Sequence, residues 1–199
     1  IDKQKGGEER MSNAASTTTE TSFDRFIRKT RELFSREPDP EKRWVSLHPF
    51  MKELLEDPKV IEASQKWPVC QRIDNRTQNL LFYEDPDYKF VLNGMVFSAD
   101  RDYGVPDRLH DHGHIYTLYG LLDGKQRILR YERIDDRSKP DYAEVRSVSN
   151  SECGPGEIDL VRPWEIHAEA SAGERVVALI ARSERSGGFL QGRYVPEKN

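Results

Sequence analysis

The chain is short of cysteine, of strong net charge and of long apolar runs. Only two cysteines, Cys70 and Cys153, occur in 199 residues. They are too few and too far apart for a disulfide framework or a zinc ribbon. Two free thiols suit a reducing compartment, so a cytoplasmic location is expected. The formal net charge is −4, with no strongly basic face, which argues against nucleic acid as a partner. No apolar stretch approaches the roughly 20 residues of a membrane-spanning helix, so no membrane partner is expected. The opening residues are rich in Lys and Glu and hold no apolar segment of the secretory kind. Internal repeats are absent, as is any phosphate-cradling glycine loop.

The residues that are present divide into three parts. Residues 1–20 combine a Gly pair, a charge cluster and a Ser-Thr run. This composition predicts a disordered tail, with Met11 as a natural start and vector-derived residues before it. Residues 21–68 read as a helical segment packed on a barrel formed by the rest of the chain. Phe23, Phe26, Ile27, Thr30, Leu33 and Phe34 recur at helical spacing behind Thr21-Ser22, which supply caps, and Pro38 and Pro40 end the run. Leu47, Phe50, Met51, Leu54 and Leu55 form a second stripe, broken at Pro58. Val60, Ile61, Ser64 and Trp67 form a third, stopped by Pro68. Residues 69–199 change period. Short strands are expected over 78–83, 90–97, 115–122, 126–131, 143–148, 158–161, 165–170 and 176–181. Asp123-Gly124 between two of them carries a hairpin signal. Many short antiparallel strands with regular turns predict a mainly β fold, either a closed barrel or a jelly roll.

The chemistry concentrates in Gly104-Val-Pro-Asp-Arg-Leu-His110-Asp-His112. On a strand, residues two apart share a face, so His110 and His112 can present both imidazoles to one ion. A third imidazole, from His167 in Arg162-Pro-Trp-Glu-Ile-His167, would complete a three-nitrogen site with open positions. Such a site is reactive rather than closed and structural.

These residues resemble the cupins, small jelly-roll (double-stranded β-helix) barrels. Gly104, His110, His112 and Gly124 fall on the first cupin motif, and Thr117 stands where that motif has Glu. Gly156, Pro163 and His167 match the second motif more loosely, without its usual glycine after the proline. A three-His cupin without the Glu is similar to the thiol dioxygenases, which use Fe(II) to turn a thiol into a sulfinate. The likeness extends to Thr77-Gln78-Asn79-Leu80. There the mammalian cysteine dioxygenases have Arg, and bacterial 3-mercaptopropionate dioxygenases have Gln. Thr117 also takes the place of the cysteine that mammalian members cross-link to tyrosine, so no cross-link can form here. The family's Ser-x-His-x-Tyr is replaced by Ala178, Ile180 and Arg182. Gly187 to Arg193 loosely resembles the bacterial segment whose Arg holds the substrate carboxylate.

The resemblance implies an oxidoreductase, an Fe(II) dioxygenase acting on a small carboxylate-bearing thiol and dioxygen. His110, His112 and His167 would hold the metal. Arg182 and Gln78 would take catalytic roles, and Arg193, Arg182, Gln78 and Thr117 would bind substrate. Plainer roles stand beside these. Arg182 and Arg193 can each pair with a nearby acid, Glu184 in the case of Arg182, and Gln78 can bond the barrel backbone. His114 either lines the site or faces away, His48 is structural, and Asp111 makes a surface or turn contact. Tyr116, Tyr119 and Tyr131 are wall aromatics. Two rival functions remain open. One is a cupin dioxygenase on a non-thiol substrate, with zinc or nickel as alternative metals. The other is a metal- or ligand-binding module without turnover, favoured if Trp164 or tyrosine side chains fill the interior. The oligomeric state is not legible.

Overall fold

Helix formation begins where the sequence supplies a capping box. The Thr21 hydroxyl accepts from the Asp24 N–H, and the Asp24 carboxylate accepts from the Thr21 N–H, so two orphan donors are satisfied at once. This starts α1 (Ser22–Arg36), and α2 (Pro40–Ser46), α3 (His48–Leu55) and α4 (Pro58–Ser64) come after it. Two prolines expected to stop helices instead start them. Pro40 and Pro58 occupy the first turns of α2 and α4 behind Asp39 and Asp57 caps. The missing proline N–H has no intrahelical partner to lose at that position. The structure is a computed structural model that describes residues 19–73, 76–98, 109–171, 173–185 and 187–195. Gly104, Met11 and all but the end of the expected disordered tail lie outside the described residues.

Among the described residues twelve strands follow: β1 (Arg72–Ile73), β2 (Arg76–Thr77), β3 (Leu80–Glu84), β4 (Val91–Phe97), β5 (Leu109–His110), β6 (Thr117–Asp123), β7 (Gln126–Arg133), β8 (Val145–Cys153), β9 (Ile158–Val161), β10 (Ile166–Ser171), β11 (Val176–Arg182) and β12 (Arg193–Tyr194). Apart from the small β1–β2 pair they form two five-stranded antiparallel sheets, ordered β3-β4-β11-β6-β9 and β12-β5-β10-β7-β8. Successive strands change sheet from β4 to β7 and again from β8 to β12. That alternation is the winding of a jelly roll, or double-stranded β-helix. The described strands do not close into one continuous barrel. Arg130 of β7 reaches across to Asp159 of β9 and ties the two sheets together.

This winding corrects the expected hairpin. β6 and β7 flank Asp123-Gly124 but belong to different sheets. Gly124 has φ 75°, and a Cβ there would lie 2.1 Å from the Arg175 carbonyl oxygen. The Asp-Gly pair is thus a corner between sheets, with glycine required both by the left-handed backbone and by the close approach. The hairpin in that region is β7–β8. β8 runs to Cys153 rather than 148. Its polar, largely exposed residues make an edge strand that hydrophobic alternation does not reveal.

β11 shows how the layers are built. Val177, Leu179 and Ala181 pack against the helices with Phe26, Met51 and Leu54, whereas Val176, Ala178 and Ile180 point between the sheets beside Met95, Phe97 and Tyr119. Period-two alternation therefore sends one set of side chains to the helical layer and the other to the interior. Arg182 belongs to the interior set and stands at its far end.

Candidate metal centre

Antiparallel pairing of β5 with β10 places His110 directly opposite His167. His112 lies just beyond β5 and reaches the same point through a turn closed at Gly113. The expected regular strand through both residues therefore ends at His110, yet the imidazoles converge. Their ring centroids lie 4.4–5.1 Å apart, and their nitrogens lie within 4.8 Å of one another. His112 and His167 are fully buried, and His110 is partly so.

The donor chemistry fits a cation. His167 Nδ1 sits 3.1 Å from the Glu165 carbonyl oxygen, which can only accept, so Nδ1 carries the hydrogen. That leaves the Nε2 lone pair turned inward, and this buried atom has no hydrogen-bond partner. Burying an unmatched acceptor is costly unless something else binds it. His112 Nδ1 contacts the Thr117 hydroxyl at 2.9 Å, which holds its ring in place. The Nε2 atoms of His110 and His112 are 3.2 Å apart. Metal–nitrogen bonds of about 2.1 Å put neighbouring donors roughly 3.0–3.4 Å apart, so that spacing suits a shared ion. Burial and the two adjacent imidazoles hold His112 well below the ordinary histidine range. It is therefore neutral, the form that ligates. Burial pulls His167 in the same direction, but the neighbouring Glu169 carboxylate and the Glu165 carbonyl leave it raised overall.

Arg182 is buried, not paired at the rim with Glu184. One guanidinium nitrogen lies 3.4 Å from the Tyr119 hydroxyl, the cation lies over the Tyr119 ring, and Nη1 has no hydrogen-bond partner. Its positive charge also helps to keep His112 deprotonated. Glu184 instead contacts His114, which faces outward beside Phe189. Arg193 is exposed on β12, in register with His110. Thr117 is buried, with its hydroxyl on His112. Gln78 is exposed, and its N–H bonds the Gln71 carbonyl. Among the described residues, the structure brings Thr117 and Arg182 to the histidine cluster and gives Gln78 no side-chain hydrogen bond to it. Tyr116 stacks on Trp44 outside the interior, and Tyr131 packs with Leu109 and Ile166.

Two residues carry more than the sequence suggested. Asp111 is buried rather than a surface residue. Its carboxylate accepts from the Gly113 and Gly192 N–H groups and from the Tyr194 hydroxyl. A Cβ on residue 192 would fall 2.3 Å from the Asp111 carboxylate, so glycine alone permits this clasp. The other is Glu169, which shares the inward parity of His167. Its Oε1 lies 3.5 Å from His167 Nε2, and its charge bears on the nearby Tyr119 hydroxyl, helping to push it up. Burial alone would raise Glu169, but His167 and the other two imidazoles hold it well below the usual carboxylate range. The spacing His167-x-Glu169 on a strand was the available signal.

The strand order and its winding decide the architecture. The fold is the cupin one. No family model matches the chain, and no curated protein does. Solved structures with a similar layout include the cupin domain of Cnp3 from Schizosaccharomyces pombe, at 8% identity and TM-score 0.39, covering 54% of this chain and 64% of that one. This chain thus spans just under two thirds of that protein's length. A Klebsiella pneumoniae conserved protein with a double-stranded β-helix domain matches at 10% identity and TM-score 0.42, covering 68% and 88%. A Bacillus halodurans protein matches at 12% identity and TM-score 0.43, covering 64% and 80%. The cupin assignment here rests on strand order and winding. Among the described residues no helix is long and apolar enough to cross a membrane.

Proposed function

We propose that this chain is a mononuclear non-haem Fe(II) dioxygenase that converts a small carboxylate-bearing thiol to its sulfinate. The observation that carries the reading is the juxtaposition of three converging imidazoles with the buried, half-unpartnered guanidinium of Arg182. His110, His112 and His167 would hold the iron. When bound, that ion would lower the pKa of a coordinated thiol and bring substrate and dioxygen to one centre. In net terms, a thiolate and one O₂ give a sulfinate, with both oxygen atoms ending on sulfur.

The chain's own residues set the rest. Thr117 and the Glu165 carbonyl fix the orientations of His112 and His167, so the donor atoms are in place before ligand arrives. Arg182 Nη1 offers a charge-assisted hydrogen bond to the substrate carboxylate from inside the interior. Tyr119 steadies that guanidinium through its hydroxyl and ring. Arg193, exposed beside His110, draws anions to the mouth. Gln78 contributes a second polar contact in this reading. The division into a tail over 1–20, a helical segment over 21–68 and a barrel over 69–199 is part of the same proposal.

Iron-loaded protein is tested by oxygen uptake with cysteine, 3-mercaptopropionate and related thiols, with sulfinate identified by mass spectrometry. Turnover on one of them with one O₂ consumed per thiol is expected, and no turnover across the panel would reject the thiol assignment. One observation favours a second reading. Ala178 and Ile180 are buried and apolar where thiol dioxygenases carry Ser and His, so a non-thiol substrate at the same centre is the rival. Metal content after mild purification separates the iron and zinc versions. Trp164 is exposed and does not fill the interior.

A further inference from the structure

We propose that Glu169 is a fourth protein donor to the cation held by His110, His112 and His167. The inference rests on the metal-binding reading above and changes its ligand set. In the first cupin motif the acidic position is filled here by Thr117, whose hydroxyl is occupied with His112 Nδ1. Among the described residues of that motif the carboxylate of Asp111 is taken up by Gly113, Gly192 and Tyr194 instead. The structure brings one in from a different strand, two residues beyond the third histidine on β10.

Three observations point the carboxylate at the ion. First, β10 pairs with β7 so that His167 and Glu169 face inward together, opposite Arg130 and Ile128. Second, Glu169 Oε1 lies 3.5 Å from His167 Nε2. Nitrogen and oxygen donors on one tetrahedral ion, with bonds of about 2.1 Å, stand roughly 3.4 Å apart. Third, Glu169 stands close enough to Tyr119 to bear on its hydroxyl, and Arg182 lies against Tyr119. An outer partner that orients a ligating carboxylate is what such centres need. A carboxylate donor takes one unit from the positive charge expected for an all-imidazole centre. It also fills one position otherwise open to exogenous ligands. Arg182 then adds a second positive charge beside the singly charged centre for an anionic substrate.

The rival account is a salt bridge between Glu169 and a protonated His167, which would compete with the metal. The two accounts differ in sign. The full-length chain, stripped with a chelator, is titrated with Co(II) while heat and the visible absorption of the bound ion are recorded. Wild type, Glu169→Gln, His110→Ala and His167→Ala are compared, each first checked for a cooperative thermal transition. The donor account expects Glu169→Gln to weaken Co(II) binding by about a hundredfold or more, beyond the roughly 10–100-fold that losing an outer partner costs. It also expects the cobalt bands to shift. Affinity that is unchanged or tighter, or bands that stay put, would overturn the donor role while leaving the three-histidine site intact. Undiminished binding in His110→Ala and His167→Ala would overturn the metal reading itself, and this inference with it.

Discussion

The interior between the two sheets has two unlike ends built on one plan. At one end Met95, Phe97, Val176 and Ala178 pack as an apolar plug. At the other, the same alternation of the same and neighbouring strands delivers His167, Glu169, Tyr119 and Arg182. The apolar end lowers the free energy of the fold by roughly 25 cal/mol per Å² of surface buried. The polar end does the opposite, since His167 Nε2, Arg182 Nη1 and Asn93 Oδ1 are all buried without a hydrogen-bond partner. A jelly roll thus supplies inward positions without dictating their chemistry. Stability given up at one end and recovered at the other is the usual mark of a site kept for function.

The contrast can be broken most completely at His167. Replacing it with Ala removes one of three convergent donors. Divalent-ion affinity should fall at least about a thousandfold, read as metal content after dialysis, whereas the thermal midpoint of the metal-free protein should hold or rise. At the opposite end Met95→Ala should behave in reverse. It should cost about 2–5 kcal/mol in urea unfolding and change metal affinity far less. Arg182→Ala should raise the KM or Kd for a carboxylate-bearing thiol about 10–100-fold, the worth of a hydrogen bond to a charged group, and leave a carboxylate-free analogue nearly untouched. Asp111→Ala should cost about 1–3 kcal/mol and be seen locally, as faster amide exchange at Gly192 and Tyr194.

The smallest effect concerns pH and lies outside both ends. Asp85 is fully buried. Burial would raise its pKa, but the Tyr88 N–H, the Arg31 guanidinium, the Tyr83 hydroxyl and the Asp87 N–H together leave it lowered. A carboxyl whose folded pKa is lowered adds stability above its unfolded value of about 3.9, and that contribution is lost as pH falls through the folded value. The urea midpoint should therefore carry a component that is flat above about pH 5 and drops in more acidic solution, and Asp85→Asn should remove it.

The three metal-directed histidines were legible because their chemistry is rare and their spacing specific. Most strands were legible because they alternate or run apolar. The features that escaped notice did so for physical reasons. α2 was hidden because Pro40 reads as a stop until the Asp39 cap behind it is considered. The Asp123-Gly124 corner looked like a hairpin because local backbone preference is the same whether the next strand pairs with the last or crosses to the other sheet. Glu169 is not legible because a single acid on a strand is ordinarily a solvated side chain, and only the β10–β7 register turns it inward. Alternation points Asp111 away from its neighbouring histidines, whereas two of its three partners, Gly192 and Tyr194, lie about eighty positions later in the chain.

That last contact has a practical reach. Because the one carboxylate between His110 and His112 also anchors Gly192 and Tyr194, the far end of the described chain and the loop that carries these histidines behave as one mechanical unit. A bulky tag grafted just after Tyr194, or a protease nick near Gly187, would be felt at the imidazoles as a loosened grip, long before any core strand came apart.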